Sequence, residues 1–220
     1  MKRLYVMVEG QTEETFVREV LYDHFFRIGI YIEAILVQTK KGFKGGLVSY
    51  AKVKPQIIRQ CREKQTAWVT TLFDLYGLPN DFPAKDSEAY AVLTTGKQKA
   101  QYLQTALAQD INERNFIPNF LVHEFEALLF SNVEPFADWT DDTTVQALQK
   151  IADAKSTPED INDSPQTAPS KRILQLMPEY DKVVQGTLIA SDIGLDQIRT
   201  KCAHFDGWVE NLEGLADGAV

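Results

Sequence analysis

Leu4-Tyr5-Val6-Met7-Val8 runs without a polar break into Glu9-Gly10-Gln11-Thr12-Glu13-Glu14, and this junction constrains the fold more than any other stretch. An unbroken apolar run of that length predicts a strand buried on both faces, as in a parallel sheet. Gly10 permits a turn without Cβ strain, and Thr12 can cap the following helix, with Glu13 and Glu14 in its favourable first turn. Glu9 then falls at the carboxyl end of a strand, beyond which open α/β sheets form their sites. A charge placed there needs water, a partner or a metal. A solvated strand-end glutamate without a role satisfies the same residues.

The pattern repeats along the chain. Apolar spacing predicts a helix over residues 12–26, with Phe16, Val17, Val20 and Leu21 on its inner face, closed by Gly29; His24 on that face reads as a packed or hydrogen-bonded histidine. A strand over 30–37 follows, then a Gly- and Lys-rich loop that lacks the GxxxxGK[ST] order of a phosphate-binding loop. A helix over 49–64 leads to a strand over 68–73 that ends at Asp74, where turn-forming residues forbid extension. After a helix over 97–112, a strand over 116–122 carries Pro118, which favours a late start or an edge, and runs into His123-Glu124-Phe125-Glu126. Alternation points His123 and Glu124 differently, and HExE is not the HExxH of a zinc helix. Three acids thus follow three strands, and they are expected to converge at one sheet edge. Beyond Asn132 only short helices are expected, over 140–153, 170–177 and 195–212. The expected architecture is an α/β domain, 1–132, with a mostly parallel four-stranded sheet flanked by helices, and a helical C-terminal extension, 133–220, packed on it.

Charge distribution sharpens the functional question. The net charge is −8, yet residues 38–65 hold eight basic residues against the single acid Glu63, leaving −15 on the remainder. A basic patch on an acidic body suits a polyanion at one place and metal-holding carboxylates at another, although a Lys-rich solvated loop gives the same count. No apolar run approaches the ~20 residues that span a bilayer, and the N-terminal apolar stretch is too short for a secretory signal. With only Cys61 and Cys202 and no CxxC, a reduced, cytoplasmic protein is expected.

Val8-Glu9-Gly10-Gln11-Thr12-Glu13, Phe73-Asp74-Leu75-Tyr76-Gly77, the stretch from His123 to Phe130, and Ala168-Pro169-Ser170-Lys171-Arg172-Ile173 carry a resemblance. The strand-Glu-Gly and strand-Asp pair resembles the TOPRIM domain of topoisomerases, primases and OLD-type nucleases. The four motifs together, in this order, resemble more closely the bacterial domain-of-unknown-function family numbered 4276, which is regarded as TOPRIM-like and linked by context to ATPases and phage defence. The resemblance implies a TOPRIM-like fold. It carries Glu9 onto the TOPRIM glutamate and Asp74 onto the first aspartate of a DxD pair, whose second position is here Tyr76. The missing oxygen would then come from Asp81, Glu124 or Glu126, and Glu13 matches the extra acid of two-metal OLD nucleases. The implied function is Mg²⁺- or Mn²⁺-dependent cleavage of DNA or RNA in a defence system. Glu9, Glu13, Asp74, Glu124 and Glu126 would hold metal, and Lys171 would neutralise phosphate charge. Lys40, Lys41, Lys44 and Arg172 would hold nucleic acid. A non-catalytic module that binds nucleic acid or a partner ATPase, and a nucleotide-binding regulator, stay open beside it.

Overall fold

The computed structural model describes residues 1–38, 47, 49–63, 65–162 and 166–217. The junction at Val8–Glu9 organises it as the sequence predicts. Strand β1 (Lys2–Val8) passes through Glu9 and Gly10 into a continuous helix, α1, made of α-helical Gln11–Phe16, a π-helical turn Val17–Leu21 and α-helical Tyr22–Arg27. Gly29, with φ of 83°, ends it, and β2 (Ile30–Leu36) returns parallel to β1. Helix α2 (Tyr50–Glu63) crosses to β3 (Trp68–Asp74), which pairs with β1 on its other side, again parallel. The short α3 (Glu88–Ala91) and the long α4 (Gly96–Ile111) lead to the last strand.

That strand is broken. Instead of one run over 116–122, the chain forms β4 (Phe116–Ile117) and β5 (Phe120–Leu121), both parallel to β3. Pro118 interrupts the ladder because it has no N–H to donate. The buried Thr71 side chain heals the gap, its Oγ1 donating to the Asn119 carbonyl at 2.7 Å and accepting the Asn119 amide at 2.8 Å. The strand order is β2-β1-β3-β4, with β5 also against β3. The connections therefore change direction at β1 and β3, the place where parallel sheets of this kind open a crevice beyond their carboxyl ends.

Side chains of β1 alternate between two cores. Leu4, Val6 and Val8 join α1 residues Phe16, Val17 and Leu21 and the later helices on one face. Tyr5 and Met7 join Val53 and Ile57 of α2 and Leu103 and Leu107 of α4 on the other. Beyond the sheet come α5 (Glu126–Leu129), α6 (Asp142–Asp153) and α7 (Pro169–Leu176). They are followed by α8, which opens as a π-helical turn Lys182–Gly186 and continues as Thr187–Ile193. Helices α9 (Leu195–Lys201) and α10 (Ala203–Asp217) close the chain. The segment expected as one helix over 195–212 is two, parted at Cys202, and α8 has no counterpart in the sequence reading. Trp208 of α10 donates from Nε1 to Thr70 Oγ1 of β3 at 3.0 Å, tying the last helix to the central sheet. Among the described residues no helix is long and apolar enough to cross a membrane. Both cysteines are buried free thiols.

Candidate active site

The carboxyl ends of β1 and β3 lie side by side, so Glu9 and Asp74 are neighbours by register alone. Glu9 Oε1 accepts the Asp74 amide at 2.6 Å. Asp74 Oδ1 in turn accepts the Phe125 amide at 3.0 Å, linking β3 to the start of α5. Glu13 comes in from the first turn of α1, one helical turn past Glu9, and is almost wholly buried. Glu124 and Glu126 arrive from just beyond β5. Glu124 is fixed by the Ser170 amide at the start of α7, at 2.6 Å, while Glu126 is fully buried.

The centre of this group is a cation. Lys182 Nζ, carried by the π-helical start of α8, lies 3.5 Å from Glu13 Oε1, 3.6 Å from Glu126 Oε2 and 3.8 Å from Asp74 Oδ2. Asp181, just before it, accepts the Val183 and Val184 amides and caps the turn. Wider π turns occur mostly where a side chain must be re-aimed at a working site. Gly186 in the same turn is required by close approach: a Cβ there would meet Tyr180 Oη at 2.5 Å and Phe125 Cε1 at 3.5 Å. Lys182 thus reaches the acids because α8 lies tight against the chain leading into α5.

Electrostatics follow from burying more carboxylates than ammonium groups. Burial, and then repulsion from Glu13, push Glu9 up to about 8. Burial likewise raises Glu126 to about 7, Lys182 opposing and Glu124 adding to the shift. Asp74 is raised well above the ordinary aspartate range, first by burial, with Lys182 opposing and Glu13, Glu9 and Glu126 adding. For Lys182 burial works against the charge, but Asp74, Glu126, Glu13 and Glu124 together outweigh it and raise the ammonium above its usual value. Both Glu126 oxygens are buried without a hydrogen-bond partner, because the Lys182 ammonium stands beyond hydrogen-bond length. Buried oxygens of this kind call for a cation or ordered water.

Those oxygens test whether a divalent metal suits the site. The donor set is all carboxylate, the ligand type of Mg²⁺ and Mn²⁺, and it carries negative charge that Lys182 alone does not balance. Among the described residues no three His, Cys, Asp or Glu side chains are placed to hold a metal ion as they stand. The acids fit the ion in kind and in charge but not in their present spacing, with the Lys182 ammonium between three of them.

The remaining expected residues fall elsewhere. Asp81 accepts the Tyr50 and Ala51 amides and caps α2, so its oxygens are engaged there. Tyr76 is exposed, two residues past Asp74, and its amide donates to the His123 carbonyl at 2.6 Å. Lys171 is exposed on α7, and Arg172 donates from Nε to the Thr167 carbonyl. Lys40, Lys41 and Lys44 lie outside the described residues. His24 is hydrogen-bonded to Glu213 at 2.6 Å, as a packed histidine should be. Lys182 is the residue that sequence reasoning missed. It stands after Pro178 and an Asp cap in a stretch with no clear helical period, and nothing local marks it.

A family model described as "Domain of unknown function (DUF4276)" matches residues 8–213. No curated protein matches the chain. Among solved structures it is similar to the C-terminal region of the Burkholderia pseudomallei OLD protein, at 15% identity over 98% of this chain and 99% of that one, with a TM-score of 0.47. It is also similar to the C-terminal region of the Xanthomonas campestris pv. campestris OLD protein, at 16% identity over 99% and 96% of the two chains, with a TM-score of 0.43.

Proposed function

The chain belongs to the DUF4276 family, a membership that fixes no activity, and from that premise we propose that it is a Mg²⁺- or Mn²⁺-dependent nuclease. The observation that carries this reading is the gathering of Glu9, Glu13, Asp74, Glu124 and Glu126 around Lys182 at the carboxyl edge of a parallel sheet, with both Glu126 oxygens left without hydrogen bonds. Glu13, Asp74 and Glu126 would hold the ion, with Glu9 and Glu124 beside them. A divalent ion bound there supplies Lewis-acid polarisation of a phosphoryl oxygen and a more acidic water.

The chain's own groups do the rest. Glu9 and Asp74 are held in position by the Asp74 and Phe125 amides, so they need no reorganisation when substrate arrives. Lys182, partly open to solvent and among the described residues the cation that bridges the acids, meets the scissile phosphate and neutralises the charge that develops on it. This assigns to Lys182 the role expected of Lys171. Family resemblance alone extends the proposal to a bacterial anti-phage or mobile-element defence system and a partner ATPase, and cysteine usage extends it to a cytoplasmic location.

One observation favours a second reading. An ammonium already seated among the acids neutralises part of their charge without metal, as suits a non-catalytic module that binds nucleic acid or a partner ATPase. Incubation of the purified protein with single-stranded DNA, duplex DNA and RNA in Mn²⁺ or Mg²⁺, with and without EDTA, decides between them. Cleavage that EDTA and Asp74→Asn both abolish supports the nuclease. Salt-sensitive binding with no cleavage in either metal supports the module.

A further inference from the structure

A separate cleft opens just beyond the ends of β3 and β5. It measures about 570 Å³, within the range of small-ligand sites, and its lining includes Tyr76, Tyr90, Lys99, His123, Lys155 and Asp160. Two of these residues are chained to the acid cluster. Tyr76 is two residues past Asp74, so their backbones are at most about 7 Å apart. His123 directly precedes Glu124 and adopts a left-handed backbone, with φ of 69°. That conformation is uncommon for a residue with a Cβ, and it sends His123 into the cleft while Glu124 enters the acid cluster. The start of α4 is pressed onto the same corner. A Cβ at Gly96 would meet Val122 Cγ1 at 2.6 Å and His123 Cε1 at 2.9 Å.

The chemistry of the lining is specific. Lys99 Nζ lies 5.8 Å from the centre of the Tyr90 ring, so that aromatic face already carries a cation. Tyr76 is 37% exposed, large for an aromatic ring in a cleft, and among the described residues it enters no ring or cation pair. Lys99 brings an ammonium to this lining, the group that meets a phosphate as a point charge. A flat open ring beside an ammonium suits a nucleotide, and every base has a face to stack. Duplex bases present their edges in the grooves and keep their faces covered.

We infer that this cleft is the subsite for one unpaired nucleotide of the substrate strand, its base stacked on Tyr76 and its phosphate met by Lys99. The identity of the ligand rests on the nuclease reading; the cleft and its lining do not. A strand with its scissile phosphate at Lys182 has its next nucleotide where Tyr76 stands, so the protein prefers single strands to duplex.

The test is fluorescence anisotropy with a fluorescein-labelled ten-residue oligothymidylate and a duplex of equal length. Titrations are run in EDTA and in Ca²⁺, and thermal melts check that each variant is folded. The single strand binds more tightly than duplex. Tyr76→Ala weakens it roughly 5- to 150-fold, and Tyr76→Phe, which keeps the ring, binds like the parent. Lys99→Gln weakens binding and lowers the slope of log affinity against log salt by about 0.7, the value for one phosphate of a single strand. Equal affinity for parent and folded Tyr76→Ala overturns the subsite, as does equal affinity for duplex, no binding of the single strand, or thymidine monophosphate competing as well as the oligomer. If Tyr76→Ala fails to fold, unchanged affinity and slope in Lys99→Gln overturn it instead. Cleavage in Mn²⁺ is scored separately. A protein that cleaves but is indifferent to Tyr76 loses the subsite and keeps the nuclease. One that binds through Tyr76 and never cleaves keeps the subsite and loses the nuclease.

Discussion

Glu126 Oε2 and the Lys182 ammonium stand 3.6 Å apart, one on the short helix beyond β5 and the other on the first turn of α8. Lys182 stands as close to Glu13, at 3.5 Å, in a site with a surplus of acids, and it makes no close hydrogen bond to Glu126. The pair is therefore loosely held although it is buried, and it is the natural place to perturb.

Replacing Lys182 with Met removes the one cation that, among the described residues, bridges Glu13, Asp74 and Glu126. Losing one partner of a buried pair costs about 3–5 kcal/mol, and of an exposed pair under about 1. Lys182 lies between these cases with its side chain 38% exposed, so a loss of roughly 1–3 kcal/mol is expected in urea unfolding at pH 8. Lys182→Arg should recover most of it. Cleavage, if present in the parent, should fall by at least about 100-fold in Lys182→Met, comparable to removing one preorganised donor. Unchanged stability and turnover would show that Lys182 does not hold the acids.

Thr71→Val keeps shape and burial but deletes the hydroxyl that both donates to and accepts from Asn119. The Asn119 amide and carbonyl are then buried without partners, at about 1–3 kcal/mol each. A melting temperature lower by roughly 5–15 °C is expected, with the far-ultraviolet spectrum unchanged. A melting temperature within a degree of the parent would mean that water fills the gap.

That break also marks where the sequence stopped being legible. Strands β1 and β3 were readable because continuous apolar runs end abruptly in a carboxylate, so Glu9 and Asp74 were readable with them. Glu13 entered the site only through the family resemblance, since a place in the first turn of α1 is equally that of an ordinary helix-start acid. The last strand was visible as an apolar run, but its division depends on Thr71, a residue on another strand. Lys182 was hidden for a similar reason. Its importance lies in three acids from three distant segments, and the π turn that aims it has no simple period. Tyr76 looked like a lost ligand from its DxD position. In the structure it faces a different cleft, which is a matter of direction that spacing cannot supply.

Metal binding separates the acids by role. Calorimetry with Mn²⁺ should show at least a tenfold loss of affinity in Glu126→Gln, whose two oxygens have no hydrogen-bond partner, and in Asp74→Asn. Glu124→Gln should lose less, since Glu124 Oε1 is already occupied by the Ser170 amide. Tyr76→Phe should match the parent, because its side chain lines the neighbouring cleft. Parent-like binding in both Glu124→Gln and Glu126→Gln would remove them from the metal site. No Mn²⁺ binding by the parent, with nucleic acid present, would leave the module reading in place.

The pH dependence of stability has a definite sign. Glu9 and Glu126 have folded-state pKa values raised to about 8 and about 7, mainly by burial, above the ordinary glutamate value of 4.5 that the unfolded chain keeps. Asp74 is shifted in the same direction. Between pH 5 and 8 these three acids thus hold more protons in the folded protein than in the unfolded chain, against the single buried His204 shifted the other way, so stability falls as pH rises through that window. The raised pKa of Lys182 does not oppose this trend, because the lysine is protonated in both states until well above pH 8. Without metal, the melting temperature should decline steadily from pH 5 to pH 8. Saturating Mn²⁺ should flatten the decline, since the ion binds the deprotonated acids and displaces their protons, and its affinity should itself rise with pH. Glu126→Gln should also shallow the slope in the metal-free protein, because a neutral side chain has no proton to lose. A metal-free melting temperature that rises from pH 5 to pH 8 would mean that the acids are ionised throughout, and that Lys182 with ordered water balances them unaided.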